Sequence, residues 1–152
     1  MPKRVELFFI TLSSPLQIGI YEDGLLIEKI VSEEKSSDYL PHIYRELSEK
    51  YEIEGLYYTN GPGSFMAIKI SYIFLKSISI IKNIPLYGAD AFNFNQNQPI
   101  KAIGKLHFVK ISDKIGTQKF ENIVTSRYEL PQKLIYNDFM HNAAPLYSIG
   151  AV

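Results

Sequence analysis

The sequence contains no cysteine, and this absence excludes disulfide bonds and metal sites built on thiolates. Neither sign of charge is in excess, because 16 Lys and Arg residues balance 16 Asp and Glu residues. A chain without net positive charge is not expected to bind RNA on its own, although a local basic patch is compatible with this balance. The 152 residues are enough for one good core, or for one lobe and a small appendage.

Long apolar runs are absent as well. Lys69 and Lys76 interrupt the longest apolar stretch, well short of the roughly 18 residues that a membrane span needs. Near the start, Glu6 interrupts an apolar run before it reaches the length of a signal peptide. We therefore expect a cytoplasmic protein without a membrane segment, and the lack of cysteine agrees with a reducing compartment.

A strand, a rigid turn and a helix follow one another in the middle of the chain. The apolar run Leu56–Thr59 predicts a short buried strand, and Met66–Lys82 predicts a long, nearly all-apolar helix. This sequence of elements is typical of an α/β unit, whose turn lies at the carboxyl edge of a sheet. Because ligands and partners usually dock at that edge, the turn is the first candidate site.

The turn itself has the residues that a tight connection needs. Pro62 presets φ at the second position, and Gly63 is suited to the positive φ that a type II turn requires next. Ser64 is then the expected N-cap of the helix. We predict a structural turn of four consecutive residues: Gly61, Pro62, Gly63 and Ser64.

Two kinds of phosphate-binding loop can be compared with this turn, and neither fits. A Walker A loop ends in Gly-Lys-Ser or Gly-Lys-Thr, whereas Lys69 lies a turn further into the helix. A dinucleotide-binding fingerprint has its third Gly where Met66 stands, and it needs an acidic residue about 20 residues downstream, where none is suitably placed. The turn alone leaves two interpretations open: a structural connection, or an anion site at a helix start that other groups must shape.

Hydrophobic patterns predict the remaining elements. Val5–Leu12 indicates a buried strand, and Glu22-Asp23-Gly24 is typical of a hairpin turn. A helix is expected from Ser37, its candidate cap, to Tyr51, with Pro41 in the first turn. Its apolar stripe has i, i+3, i+4, i+7 spacing and contains Leu40, Ile43, Tyr44, Leu47 and Tyr51. The other expected strands are Leu16–Tyr21, Leu25–Val31, Ile84–Tyr87, Ile100–Ile103, Leu106–Ile111 and Ile123–Thr125.

Three segments of the chain share motifs with one protein family. The turn reads Gly61-Pro62-Gly63-Ser64-Phe65, and the helix is followed by Asn83-Ile84-Pro85-Leu86-Tyr87-Gly88. The opening strand reads Leu7-Phe8-Phe9-Ile10-Thr11-Leu12-Ser13. Together they resemble the TsaB (YeaZ) family over roughly residues 5–92, since that family typically has Gly-Pro-Gly-Ser-Phe-Thr-Gly and, later, Ile-Pro-Leu-Tyr-Gly. Its members are bacterial partner subunits in making N6-threonylcarbamoyladenosine in tRNA.

The resemblance implies an α/β fold with an actin-like, ribonuclease H-like N-terminal lobe, in which helices flank a mixed sheet, and a reduced second lobe. We expect the first lobe at residues 1–92 and the shortened C-terminal lobe at residues 93–152, after the polar break Asn93–Pro99. Thr11 stands where the wider sugar-kinase, Hsp70 and actin superfamily places an Asp near the nucleotide phosphates and metal. This difference and the short C-terminal part weigh against independent nucleotide chemistry.

The second helix carries more apolar residues than a helix lying on a sheet needs. Either its own neighbours bury it, or part of its surface docks on another chain. One broad face holds Met66, Ala67, Ile70, Ile73, Phe74, Ile78 and Ile81. The resemblance favours docking, because the first two helices of that family pack against the matching helices of a homologous subunit. The implied partner interface is Tyr39, Leu40, Ile43, Met66, Lys69, Ile70, Ile73 and Phe74.

No group of residues has the spacing of a catalytic or metal-binding motif. His42, His107 and His141 are far apart, and none has a histidine partner at helical spacing. We expect His42 on the exposed side of the first helix and the other two in the second lobe. Ser64 lacks the Gly-x-Ser-x-Gly setting of a nucleophile elbow, and Asp90 is expected to start a helix. We therefore predict no catalytic residue, no metal ligand and no cofactor site of the chain's own.

The resemblance implies a scaffold that activates TsaD, the homologous catalytic subunit, for threonylcarbamoyl transfer to adenosine 37 of tRNA. It further implies TsaC and TsaE as pathway partners, contact with tRNA only through the complex, and an adenine nucleotide shared at a subunit junction. Alone, the chain is expected to form a self-dimer through the same helical face. Two alternatives remain open: an ATP-dependent kinase of the same superfamily, and an unrelated small-molecule or dinucleotide-binding domain.

Overall fold

A six-stranded mixed sheet forms the centre of the computed structural model, which describes residues 1–12 and 14–146. Its strands are β1 (Arg4–Ile10), β2 (Leu16–Glu22), β3 (Leu25–Ser32), β4 (Glu52–Thr59), β5 (Leu86–Ala89) and β9 (Met140–His141). They lie in the order β3-β2-β1-β4-β5-β9. β4 is parallel to both β1 and β5, and the other neighbouring strands are antiparallel. The predicted α/β class, with its mixed sheet flanked by helices, is confirmed.

The predicted hairpin between β2 and β3 forms, and it turns on two of the three expected residues because Glu22 belongs to β2. Asp23 and Gly24 both have positive φ, 52° and 81°, and this backbone matches the right-handed twist of the two flanking strands. The carbonyl of Gly24 also accepts a hydrogen bond from the Leu134 backbone N–H at 2.8 Å. Asp23 therefore has the structural role expected for it.

Two helices, α1 (Ser36–Lys50) and α2 (Phe65–Lys82), connect the strands. The N-cap of α1 is Lys35, whose side chain makes no capping hydrogen bond, so Ser37 is not the cap that its side chain suggests. Because the helix begins earlier than predicted, Pro41 is its sixth residue and lies beyond the first turn. Among the described residues, no helix is long and apolar enough to cross a membrane.

Each face of the main sheet carries an apolar core, because alternate residues of a strand point to opposite faces. On the helix face, the predicted stripe of α1 packs against strand residues that include Val5, Leu7 and Phe9. The opposite face is covered by a 3₁₀ turn, Ala91–Phe94, and by residues that come much later in the chain. This second core contains Phe8, Ile10, Tyr21, Tyr57, Phe92, Phe94, Tyr128, Leu130 and Leu134.

A small antiparallel sheet follows, in the order β6 (Ile100–Lys101), β7 (Leu106–Ile111) and β8 (Lys114–Lys119). β7 has the predicted bounds. β8 is a strand that the sequence analysis missed, and it pairs with β7 across a two-residue loop in which Ser112 and Asp113 have positive φ. The strand predicted at Ile123–Thr125 does not form.

The chain then returns to the main sheet, over what we call the return segment, residues 126–146. The Gln17 amide donates to the Tyr128 carbonyl at 2.7 Å, and the Tyr21 hydroxyl donates to the Pro131 carbonyl at 2.6 Å. β9 pairs with β5, which places His141 at the edge of the main sheet and not in the second lobe where it was expected. The division into lobes at residue 93 stays a prediction, since the return segment links both parts.

Candidate docking surface

The turn between β4 and α2 is hydrogen-bonded into the fold on several sides. The Asn60 N–H donates to the Ala89 carbonyl at 3.0 Å, and the Asn60 carbonyl accepts from the Leu146 N–H at 2.8 Å. The positive φ, 118°, lies at Gly61, so the expected type II turn with positive φ at Gly63 is wrong. A glycine is needed at position 61 because other residues rarely adopt this backbone.

The helix start itself behaves as the sequence predicts. The Ser64 hydroxyl accepts a hydrogen bond from the Ala67 N–H at 3.4 Å, which confirms Ser64 as the N-cap of α2. Nearby, Thr11 is buried, and its hydroxyl is hydrogen-bonded to the hydroxyl of Ser71 in α2. The polar end of the Thr11 side chain is therefore engaged inside the fold.

Helix α2 faces the sheet with an unexpected side. Its buried residues are Ile68, Ser71 and Leu75. At 100° per residue, these three cluster opposite Met66 and Ile73, which belong to the broad apolar face. The part of that face around Met66 and Ile73 is consequently turned outwards, whereas Phe74 and Ile78 pack against the core. Ser71, a small residue, lets the helix approach the sheet closely, with its hydroxyl satisfied by Thr11.

The outward side of α2 forms an apolar ridge. Met66, Ile73 and Ile80 are seven residues apart and are 58%, 53% and 70% exposed. Ile70 and Ser77 stand between them, which completes the alternating spacing of three and four that helices use to pack on helices. We call these five residues the α2 ridge. Ser77 does not break its apolar character, because its hydroxyl donates to the Ile73 carbonyl at 2.7 Å.

The predicted interface residues are distributed unevenly between surface and core. Three of them are exposed: Met66, Lys69 and Ile73. Three are half-buried: Tyr39, Ile70 and Phe74. Leu40 and Ile43 are 0% and 6% exposed, so the chain's own core encloses them and they are not part of any docking surface. The correction has a simple cause: the apolar stripe of α1 faces the sheet.

Three exposed large apolar residues of α2 were missing from the predicted interface. Ile80 and Ile81 are exposed near the end of the helix, and Phe65 is exposed at its start. The sequence does contain an indication that Ile80 belongs to this surface, because it follows Met66 and Ile73 at the same seven-residue spacing. Phe74 is excluded from the centre of the ridge because it packs edge-on against Tyr44 of α1, with ring centroids 6.0 Å apart.

A basic flank runs beside the α2 ridge. Lys69 lies over the Phe65 ring, 5.9 Å from its centroid, and Lys76 donates to the Asn142 side chain at 3.1 Å. The other flank is α1, which meets α2 where Tyr44 packs on Phe74. The exposed surface of α1 carries both signs of charge, since Glu46 and Glu49 stand beside Arg45 and Lys50. The docking surface is thus apolar along its centre and basic along one flank.

The remaining candidate residues have structural partners. His42 is exposed and pairs with Glu46 at 3.2 Å. His107 is buried, and its Nε2 accepts a hydrogen bond from the Val124 N–H at 3.0 Å. Asp90 caps the 3₁₀ turn by accepting from the Phe92 N–H at 3.0 Å, as predicted. Over the described parts of the chain, no three His, Cys, Asp or Glu residues are grouped as metal ligands would be.

Two solved structures from Pseudomonas aeruginosa are similar to this chain. One is an uncharacterised protein with similarity to peptidase YEAZ; it shares 12% identity at a TM-score of 0.57, over 82% of this chain and 70% of that protein. The other is YeaZ, with 13% identity at a TM-score of 0.55, over 86% of this chain and 66% of YeaZ. The chain thus spans about two thirds of the length of these proteins.

No protein-family model matches the chain, and no curated protein sequence matches it either. At 12% and 13% identity, a structural likeness establishes the fold and leaves activity and partners to be argued separately. The motifs at the opening strand, at the turn after β4 and after α2 had indicated this likeness. The chain therefore has the actin-like fold of YeaZ, in a shortened form.

Proposed function

We propose that this chain is a non-catalytic subunit that docks through the α2 ridge on a homologous catalytic subunit, TsaD. In that position it supports threonylcarbamoyl transfer to adenosine 37 of tRNA, with TsaC and TsaE as further members of the pathway. It holds no cofactor of its own, and any adenine nucleotide is shared at the subunit junction. The observation that carries the proposal is the exposed α2 ridge, and the YeaZ-like fold supports it.

The size of the apolar surface argues for a partner that covers more than the ridge. Burying a large apolar side chain completely is worth roughly 1.5–3 kcal/mol, and the three exposed ridge residues, Met66, Ile73 and Ile80, still expose 53% to 70% of their surface. Each therefore contributes about 1–2 kcal/mol on docking. Association costs an estimated 4–15 kcal/mol or more, so the flanking groups must add close packing and favourable charge pairs.

The basic flank favours a partner that places carboxylates beside Lys69 and Lys76, because opposite charges across an interface favour association. We expect a homologous subunit with the same order of helices to meet this requirement. The proposed self-dimer of the lone chain uses the same surface, so it competes with the partner.

The docking proposal is tested by placing a charge on the ridge. Ile73→Glu leaves a buried, unpaired carboxylate in any interface formed there, so co-purification with the catalytic subunit should be lost. Ile111→Glu is the matched control, since Ile111 is also exposed and lies on the small sheet, away from α2. Retained pull-down by folded Ile73→Glu protein contradicts the proposal, as does equal loss with the control. Light scattering should show a self-associated wild type and a monomeric Ile73→Glu variant.

An independent kinase is the alternative that the site supports less well. Phosphoryl transfer needs metal and phosphates held between two lobes, and an Asp near them. Here Thr11 stands at the superfamily's Asp position, and its hydroxyl is engaged by Ser71. Calorimetry with ATP and Mg²⁺ separates the two functions: micromolar binding by the lone chain favours the kinase, and no binding favours the partner subunit.

A further inference from the structure

The outer edge of β8 has no partner strand among the described residues. β8 pairs with β7 on its inner side only, and it is the last strand of the small sheet. In a two-residue hairpin the residues that flank the loop, here Ile111 and Lys114, exchange hydrogen bonds, and every second pair of the ladder does the same. The bond from the Phe120 N–H to the Lys105 carbonyl at 3.0 Å fits this alternation. The backbone N–H and C=O groups of the alternate residues of β8 therefore point away from β7: those of Ile115, Thr117 and Lys119.

The small sheet is held against the rest of the protein by one of its faces. Phe108 of β7 and Ile115 of β8 point to this face and pack against the second core. Lys110, on the same face of β7, forms an ion pair with Asp90 at 2.7 Å. Because these contacts already position the small sheet, adding a strand to β8 costs less ordering than it would on an isolated hairpin.

A lysine stands at each end of β8. Lys114 and Lys119 are exposed, and neither has an ion-pair partner in the part of the chain that the structure describes. Asp113 is the single acidic residue between positions 100 and 119. A second copy of β8 would bring its own two lysines to the same ladder, and like charges on neighbouring strands oppose pairing. The edge therefore favours a strand that carries carboxylates.

A gap lies on the opposite face of β8, at Gly116. A Cβ built on Gly116 would meet nothing within 4 Å, so this position is open. Val109 lies opposite Gly116 in the ladder, and Ile111, the next residue on this face of β7, is 66% exposed. A glycine inside a strand often marks a place where another group approaches closely. An aromatic side chain on an added strand would cover Gly116 and contact Val109.

We propose that the outer edge of β8 binds an extended acidic segment of another protein, which joins the small sheet as a fourth, antiparallel strand. Backbone hydrogen bonds to the free edge hold the segment, and its side chains determine which segment is accepted. Antiparallel pairing is the more stable arrangement per residue. The proposal does not depend on the α2 ridge.

The edge also determines the pattern of side chains in the bound segment. The aromatic residue lies opposite Gly116, in a pair without hydrogen bonds, where side chains are closest. In an antiparallel strand, an acidic residue two positions later then lies opposite Lys114, and one three positions earlier lies opposite Lys119. The expected pattern is Glu-x-x-Phe-x-Glu, in which Asp can replace Glu.

The side-chain contacts are tested with a fluorescein-labelled peptide, Thr-Glu-Thr-Val-Phe-Thr-Glu-Thr, and fluorescence anisotropy of the full chain. Lys114→Gln with Lys119→Gln should weaken binding about three- to tenfold, because exposed ion pairs contribute modestly. Lys29→Gln with Lys82→Gln removes the same charge elsewhere and should bind like the wild type. Gly116→Val fills the gap, so it should weaken this peptide and leave the affinity of a peptide with Ala in place of Phe unchanged. Equal weakening by both lysine pairs overturns the assignment.

The backbone pairing is tested separately on the peptide and on the protein. N-methylation of the residue after Phe removes an N–H that faces β8 and should weaken binding about tenfold or more. N-methylation of Phe itself removes an N–H that faces away from β8 and should cost much less. Thr117→Pro removes an outward N–H of β8 and should abolish binding, whereas Thr117→Val retains both the N–H and binding. Equal affinities of the two methylated peptides contradict strand addition, whether or not Thr117→Pro folds.

Two further outcomes overturn the proposal outright. The first is no measurable binding of the peptide by the wild type at about 50 mM KCl, in which case the lysines only protect the edge from pairing. The second is self-association of the lone chain that Thr117→Pro abolishes and Thr117→Val retains, which assigns the edge to a second copy. Ile73→Glu separates this proposal from the docking proposal, because it should lose the catalytic subunit and bind the peptide like the wild type.

Discussion

Glu6 accepts hydrogen bonds from two tyrosine hydroxyls that reach it from different parts of the chain. One comes from Tyr57 in β4, and the other from Tyr136 in the return segment, at 2.6 Å. Burial, and then the hydrogen bond to Glu6, raises the pKa of Tyr57 well above its ordinary value of 10. Only the protonated phenol can donate to the carboxylate, so ionisation of this tyrosine is coupled to unfolding.

The coupling predicts a loss of stability at alkaline pH. The raised pKa means that the folded protein holds a proton which the unfolded chain releases near pH 10, so the stabilisation is complete below that pH and declines as pH rises. We expect Tyr57→Phe to cost about 1–3 kcal/mol at pH 7 and to lose less stability than the wild type between pH 9 and about 11. Urea unfolding at several pH values measures both effects. Tyr72→Phe is the control, and an identical alkaline decline in wild type and Tyr57→Phe contradicts the assignment.

The cap of α2 supports a second prediction at this scale. Ser64→Ala should lower the free energy of unfolding by about 1 kcal/mol or less, because the Ser64–Ala67 hydrogen bond is long. Ser48→Ala is the matched control: the Ser48 hydroxyl donates to a carbonyl within α1, and Ala favours a helix interior, so no loss is expected. Near-complete loss of tRNA modification by a folded, partner-bound Ser64→Ala variant is the result that contradicts a purely structural role.

The structural roles of single residues were predictable where the side chain itself determines the local backbone conformation. Ser64 and Asp90 are caps, and Asp23 turns a hairpin, as their side chains suggest. The role of Ser37 was not predictable in this way. Lys35 is the N-cap of α1, and Ser37 lies inside the helix. The positive φ lies at Gly61 and not at Gly63, and the sequence does not decide between them because both glycines permit it.

At the scale of elements, α2 was predictable as a helix but not in its orientation. Apolar residues cover most of its circumference, so periodicity alone does not identify the buried side. The sheet selects the side with Ser71, which permits the closest approach. β8 was missed for a related reason: its sequence is polar, and it is held by pairing with β7 more than by its own apolar residues.

A pair of glycines tests the attachment of the return segment. A Cβ on Gly88 of β5 meets the Ala143 side chain at 2.9 Å and the Tyr58 ring at 3.1 Å, so Gly88→Val should push the end of the return segment away. We expect a cost of about 1–3 kcal/mol and new proteolytic cleavage near Ala143. Gly116→Val in β8 is the matched control, because its Cβ meets nothing within 4 Å and Val favours strands. Equal protection from protease in both variants contradicts this attachment.

At the scale of the whole molecule, the fold depends on contacts between residues far apart in the chain. The second core joins Phe8 and Tyr57 of the main sheet to Tyr128, Leu130 and Leu134 of the return segment. Local patterns predicted most of the elements within residues 1–92, because strands and helices alternate regularly there. They missed the return of residues 126–146, because this segment is nearly without regular structure and several of its partners, among them Gln17 and Tyr21, lie more than 100 residues away.

Removing residues 93–152, which include the return segment, should therefore prevent cooperative folding. A fragment of residues 1–92 exposes one entire apolar face of the main sheet, including Phe8, Ile10 and Tyr21. We expect the fragment to bind a hydrophobic dye and to lack a cooperative urea transition, whereas the full chain unfolds in one transition. A fragment that unfolds cooperatively is the contrary result, and it supports the predicted first lobe as an independent unit.

The two margins of the main sheet differ in a way that limits uncontrolled polymerisation. At one margin, β9 is only two residues long, too short to template another molecule's strand. At the other, β3 has eight residues, and the return segment covers its start, where the Leu26 N–H donates to the Gln132 carbonyl at 2.9 Å. A main sheet with one usable margin can join a single neighbour through that sheet, while fibre growth requires two. Stress that detaches β9 would open the second margin of the main sheet and make growth in both directions possible.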